Sequence, residues 1–168
     1  MNIEKCRVCF SSKLTPILDL GNQPWCNDYQ KKNGKECAQY PLSTVFCEDC
    51  STFQVSYTVP KEIMYADHTY LSGANASMPA HFLSIAEKCV QDFNSDAKFV
   101  VDIGSNDGTL LSQFKKVGLK VLGVEPCSEA SKVAIESGIP TKNDFFDRSQ
   151  ADDIRNEFGH ADIVSAAN

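Results

Sequence analysis

Two Cys-x2-Cys pairs lie near the start of the chain, "CRVC" with Cys6 and Cys9 and "CEDC" with Cys47 and Cys50, with 37 residues between them. No other feature restricts the fold so tightly. Four thiols at this spacing can surround one tetrahedral ion only if the chain between them doubles back. Closing a longer loop adds only a logarithmic cost, so the wide spacing is no obstacle. Residues 1–60 are rich in Cys, Pro and polar turn residues, with short strand-like runs such as "STVFC" and "TFQVSYTV". Apolar residues for a core are few there, and a metal staple supplies what burial cannot. The tetrad therefore points to structural zinc, because four thiolates leave no open position for catalysis. A rubredoxin-like or iron–sulfur site is the chemical alternative. Cys26, Cys37, Cys89 and Cys127 have no such partner in sequence and are expected to be small apolar residues or thiols outside the metal set. His68, His81 and His160 are not needed for the metal.

Further along, the rhythm changes. Residues 61–95 read as helical: "KEIMYADHTY" is a short helix. "SMPAHFLSIAEKCVQDF" is a longer one, with Ser77 as N-cap, Pro79 in the first turn and Phe82, Ile85, Ala86, Cys89 and Phe93 on one face. From residue 96 onward apolar strands alternate with helices. "KFVVDI", "LKVLGV", "IPTKND" and "ADIVSAA" hold the strands; "DGTLLSQFKKV", "SEASKVAIESG" and "SQADDIRNEFG" hold the helices. That alternation predicts βαβ units and a parallel sheet. The expected class is α/β: a zinc-binding domain over 1–60, a helical connector over 61–95 and a Rossmann-like half-domain over 96–168.

The net charge is −6 and the two signs are interspersed, with no basic stripe. Nucleic acid is therefore not an expected partner. No run is long and apolar enough for a membrane span or the core of a signal peptide, and eight cysteines in a reducing compartment suggest metal rather than disulfides. A cytoplasmic protein is expected.

At the end of the first parallel strand stands "DIGSNDG": Asp102, Gly104, Asn106, Asp107 and Gly108. A glycine here lets a ligand approach the backbone, and the next helix offers its positive end. The dinucleotide fingerprint is not met, because Asn106 and Thr109 stand where it requires glycine. Asp107 adds a negative charge where a pyrophosphate would need donors. A carboxylate there repels phosphate and attracts a sulfonium or an ammonium group, which favours S-adenosylmethionine over NAD. Glu125 follows 21 residues after Gly104, at the tip of the second strand, where an acid accepts from both ribose hydroxyls of either cofactor. Asp144, after the third strand, is placed either to accept from an adenine amino group or to serve as a helix cap or solvated loop acid. Asn168 ends the fourth strand on the same edge.

Taken in order, the knuckles, "LDLGNQPWCNDY", "YPLSTVFCEDCSTFQV", "YADHTYLSG", "VVDIGSNDGTLL" and "GVEPC" resemble the S-adenosylmethionine-dependent C-methyltransferases of nucleotide-linked deoxysugars. The resemblance covers essentially the whole chain. It implies zinc on Cys6, Cys9, Cys47 and Cys50. It also implies contacts to the methionine half of the cofactor from Gly104, Asn106 and Asp107 of the Asp102 motif, and to its ribose from Glu125 beside Pro126. Tyr70 and Ser72 match a segment that folds over the cofactor near the sugar. Tyr70 is the expected catalytic residue, orienting a substrate hydroxyl or assisting proton removal. An ordinary phenol has a pKa near 10 and would need help from its neighbours.

Proteins of that kind are much longer. The chain is accordingly expected to be an N-terminal fragment or truncated product, lacking the family's Glu-His acid/base element and inactive or nearly so alone. An exposed sheet edge would favour a homodimer. Methyl transfer to another small metabolite, or a non-catalytic zinc-bearing binding module, are the competing functions.

Overall fold

The computed structural model describes residues 1–25, 37–65, 70–93 and 97–167. Cys26, His68, Asn168 and the side chain of Phe93 lie outside the described residues. The chain divides into two compact units, Met1–Met64 and Tyr65–Asn168.

The first unit is a three-stranded antiparallel sheet in the order β1-β2-β3, built from β1 (Leu14–Pro24), β2 (Gln39–Cys47) and β3 (Phe53–Val55). Leu14 pairs with Cys47 and Pro24 with Gln39, so β1 and β2 form a long ribbon. Register breaks between Pro16 and Leu18 and between Asp19 and Asn22. Inside the second break Asp19 Oδ1 accepts from the Gly21 amide at 2.8 Å. The sequence gives no clear sign of β1, because Pro16, Gly21 and Pro24 read as strand breakers. An edge strand with bulges accommodates all three. Among the described residues of this unit, the buried apolar side chains are Cys6, Val45 and Cys47. Two of those three are cysteines of the tetrad, so among the described residues the sheet has almost no core of its own.

A short helix α1 (Lys61–Tyr65) leads to the second unit, where a single 3-10 turn spans Ser72–Ala74. Then follow α2 (Met78–Phe93), β4 (Phe99–Ile103), α3 (Thr109–Lys116), β5 (Lys120–Val124), α4 (Ser128–Glu136), β6 (Thr141–Lys142), α5 (Arg148–Phe158) and β7 (Ile163–Ser165). The four strands form a parallel sheet in the order β6-β5-β4-β7. This is the Rossmann-like arrangement that the strand–helix alternation implies.

Strand alternation distributes the core. Val100 and Val121 face one layer with Phe82 and Ala86 of α2, Leu110, Leu111 and Phe114 of α3, and Ala134 of α4. Phe99, Val101, Leu122 and Val124 face the other, against Ile154 of α5. The expected face of α2 is thus present, extended by half-buried Met78 and Val90. Ser77 stands at its start, but its hydroxyl donates to Asn75 Oδ1 at 2.9 Å instead of capping the helix. β7 forms one edge of the sheet, with Val164 61% exposed. Among the described residues no helix is long and apolar enough to cross a membrane.

Two aspartates fasten β7 to β4. Asp162 accepts from the amides of Lys98 and Phe99 at 2.8 and 2.9 Å, which hold its carboxyl below the usual range. Asp102, 3% exposed, accepts from Ser165 Oγ at 2.7 Å. Burial pushes the Asp102 carboxyl up to about 6; the Ser165 bond opposes this and nearby Glu125 adds to it. A carboxyl that binds its proton more tightly folded than unfolded contributes stability that is intact at low pH and lost as the pH rises through the folded value. As pH rises from about 4 to about 6, the wild-type chain should therefore lose stability that Asp102→Asn retains. The expected difference is about 1–3 kcal/mol, since each tenfold change in proton affinity is worth about 1.4 kcal/mol. Urea midpoints of the two proteins across that range measure it, and parallel curves would refute this account of Asp102.

Candidate functional site

The two cysteine knuckles are near copies of each other. Cys6 N donates to Ser11 O at 2.7 Å and Phe10 N to Cys6 O at 3.0 Å; Cys47 N donates to Thr52 O at 2.9 Å and Ser51 N to Cys47 O at 2.8 Å. The residue after each second cysteine, Phe10 and Ser51, is left-handed, with φ of 62° and 59°. Between the knuckles, Ser11 Oγ and Lys13 Nζ both donate to Asp49, at 2.7 and 2.9 Å.

This brings the four sulfurs within 4.8 Å of one another. Cys6 and Cys50 are 3.6 Å apart and Cys9 and Cys47 3.5 Å. A tetrahedral zinc with ~2.3 Å bonds spaces its sulfurs about 3.8 Å apart, so the donor set fits the ion. Hydrogen bonds to sulfur prepare it further. The Cys9 amide draws the Cys6 thiol down to about 6 against the pull of burial, helped by the Val8 amide and the Gln54 side chain. Gln54 Nε2 lies 3.2 Å from Cys6 Sγ, and Thr52 Oγ1 3.1 Å from Cys50 Sγ. Cys9 moves the other way, to about 12: the Ser11 amide lowers it, but the Cys50, Cys47 and Cys6 sulfurs and burial outweigh that. Four crowded sulfurs cannot all ionise unaided, and a divalent cation removes the conflict.

The second unit holds a cleft of about 580 Å³ at the carboxyl ends of β4 and β5. Its floor is the turn from Gly104 to Gly108, with Gly104, Asn106 and Gly108 all left-handed at φ of 68°, 51° and 75°. Gly108 begins α3, and a Cβ there would come within 3.1 Å of Ile139. Glu125, 6% exposed, accepts from Asn106 N and from Cys127 N, each at 2.7 Å. Asp107, 8% exposed, accepts from Gly73 N at 2.7 Å, Thr109 N at 3.1 Å and Thr109 Oγ1 at 2.6 Å.

Of the residues singled out from sequence, Tyr70, Ser72, Gly104, Asn106, Glu125 and Pro126 line this cleft. Asp102 lies beneath it, bonded to β7, and Asp107 sits behind the turn. Asp144 is exposed; it accepts from the Phe145 amide at 2.7 Å and from Gln150 Nε2 at 2.8 Å, while Asp147 caps α5. Sequence reasoning missed the apolar wall: Ile103, Val124, Phe145, Phe146, Ala166 and Ala167, with Tyr65 beside them. The aromatic pair "FF" directly after the third strand was the signal available for it.

Comparison with known proteins bears on both units. Residues 6–65 match the family described as "Putative zinc binding domain", a span that contains all four clustered cysteines. Purified chain should hold one zinc ion, read by elemental analysis. Cys47→Ser should weaken zinc binding roughly 100-fold or more, since loss of an outer hydrogen-bond partner alone costs about 10–100-fold. Removing the ion with a chelator should abolish amide protection in β1 to β3. Protection that survives metal removal would show that burial, not zinc, holds this sheet.

The C-methyltransferase NovU of Streptomyces niveus is 25% identical over 166 residues, covering 96% of this chain. That stretch is 39% of the length of the relative, so the chain spans well under half of the protein it matches. The chain is thus similar to a C-methyltransferase over nearly its whole length, and its N-terminal part, which matches a zinc-binding family, carries a four-cysteine cluster ahead of a parallel four-stranded sheet.

Proposed function

We propose that the chain is the cofactor-binding part of an S-adenosylmethionine-dependent C-methyltransferase acting on a nucleotide-linked keto-deoxysugar. The observation that carries the cofactor assignment is electrostatic. Two carboxylates, Glu125 on the lining and Asp102 beneath it, are at least nine-tenths buried beside the turn. A pyrophosphate would be repelled there, whereas a sulfonium with an ammonium group is attracted. When bound, S-adenosylmethionine supplies an electrophilic methyl group and leaves as a neutral thioether.

The residues of the cleft fit that assignment. Each oxygen of Glu125 takes one backbone donor, which fixes the carboxylate and leaves a lone pair on each oxygen for the two ribose hydroxyls. Val124, Phe145 and Phe146 offer an apolar slot for a purine. A cleft of about 580 Å³ falls within the usual range for ligands of this size.

The relative's name specifies methylation at carbon. A carbon acceptor needs an acidified C–H, and an adjacent ketone provides one. Proton removal gives an enolate, whose carbon takes the methyl group. Tyr70, 54% exposed on the lining, is assigned the role of orienting a substrate hydroxyl or assisting that proton transfer. The nucleotide-sugar acceptor rests on the resemblance carried by the knuckles, "TYLSG" and "DIGSNDG".

Calorimetry of the chain should show S-adenosylhomocysteine binding and no NAD binding. Glu125→Gln should weaken the former about tenfold or more, the usual effect of weakening a hydrogen bond to a charged group. No heat from S-adenosylhomocysteine with folded protein would overturn the cofactor assignment and favour a non-catalytic zinc-bearing module.

A further inference from the structure

Asn106 borders the cleft and Asp107 sits behind the turn, and the two share a further contact. Asn106 uses both ends of its amide on one short segment. Its Nδ2 donates to Tyr70 O at 2.9 Å, and its Oδ1 accepts from Ser72 N at 2.9 Å. One residue on, Asp107 Oδ2 accepts from Gly73 N at 2.7 Å. Three successive bonds, each spanning 34 or 36 residues of sequence, therefore fasten residues 70–73 to the glycine turn.

The fit is close. A Cβ on Gly73 would stand 2.8 Å from Thr109 Oγ1 and 3.0 Å from Asp107 Oδ2. Thr109 in turn holds the other oxygen of Asp107 through its amide and hydroxyl. Three of the roughly four acceptor positions on that carboxylate are thus occupied by protein donors. The left-handed backbone of Asn106 also has a use, because it presents the side chain to the strap while its amide donates to Glu125. Asparagine is one of the few residues that reach this conformation at low cost.

We propose that Asn106 and Asp107 form a clamp that fixes the Tyr70–Gly73 strap, and with it the Tyr70 phenol, over the cleft before any ligand arrives. They are positioning residues for Tyr70 and Ser72. Their influence on binding passes through the strap rather than through direct charge on the ligand. The role of Tyr70 rests on the functional reading above; the clamp itself does not.

Amide exchange resolved by NMR in the ligand-free chain tests the clamp, and calorimetry with S-adenosylhomocysteine tests its consequence. Asp107→Ala should speed exchange at Gly73 about tenfold or more, as expected for a lost bond to a charged acceptor. Asp107→Asn keeps an acceptor for Gly73 while removing the charge, and should stay within about threefold of wild type. Gly73→Ala leaves both clamp residues in place but pushes the strap away, and should expose Ser72 and residue 73 together. Affinity for S-adenosylhomocysteine should follow the exchange rates, falling in Asp107→Ala and Gly73→Ala and holding in Asp107→Asn.

Unchanged exchange at Gly73 in Asp107→Ala would overturn the clamp. So would an Asp107→Asn protein that keeps Gly73 protected yet loses the ligand, because charge would then be acting directly. If Asp107→Ala fails to fold, Gly73→Ala and Asn106→Gly carry the exchange measurement at Ser72, and normal protection in both would overturn the proposal. A wild-type chain that ignores S-adenosylhomocysteine would sink the cofactor reading alone, leaving the exchange data to decide the clamp.

Discussion

The carboxylate of Glu125 is the point on which the turns at the carboxyl end of the sheet depend. Its two oxygens accept from Asn106 N in the turn after β4 and from Cys127 N in the turn after β5. The carbonyl of the same residue accepts from Asn143 Nδ2, just past β6, at 2.8 Å. All three crossover turns therefore meet at one residue. Burying a charged group is costly unless its bonds are made, and here they are made by backbone amides. The first of these bonds ties down the amide of Asn106, whose left-handed backbone lets its side chain reach Tyr70 and Ser72. Loss of the Glu125 side chain would free the turns after β4 and β5 together, so the proposed cofactor role and a folding role share it.

That overlap explains how much of the site is legible in the sequence. The "DIGSNDG" turn, the acid at the tip of the next strand and the alternation of strands and helices are local patterns, and local patterns survive in sequence. The face of α2 is readable because Phe82, Ile85, Ala86 and Cys89 recur at helical spacing. The strap contacts are not readable, because no periodicity links Tyr70 to Asn106 or Gly73 to Asp107. From sequence the charge of Asp107 is expected to face the ligand, yet its carboxylate accepts from the Gly73 amide and from Thr109. A carboxylate beside a glycine turn has two ways to be satisfied, and only the tertiary fold distinguishes them. β1 is hidden for another reason. Its prolines and Gly21 contradict strand propensity, and its pairing with β2 overrides them through two bulges.

The zinc-binding unit shows the opposite balance. Its cysteine spacing is plain in sequence, while its sheet is only half visible. Ile17, Leu18, Leu20, Leu42, Phe53 and Val55 are all exposed, so strand pairing in this unit is not driven by a buried apolar face. An isolated antiparallel ribbon is marginal in water. What remains is the tetrad, joined to both ends of the sheet: Leu14 pairs with Cys47, and Cys47 N donates to Thr52 O just before β3. Gln54 of β3 adds a bond to Cys6 Sγ, and Arg7 Nη1 donates to Val55 O at 2.7 Å. Each strand is thereby tied within a few bonds of the four sulfurs. With zinc on the tetrad, metal coordination and strand pairing are expected to form together, because the described residues of this unit bury little apolar surface beyond Val45 and the cysteines.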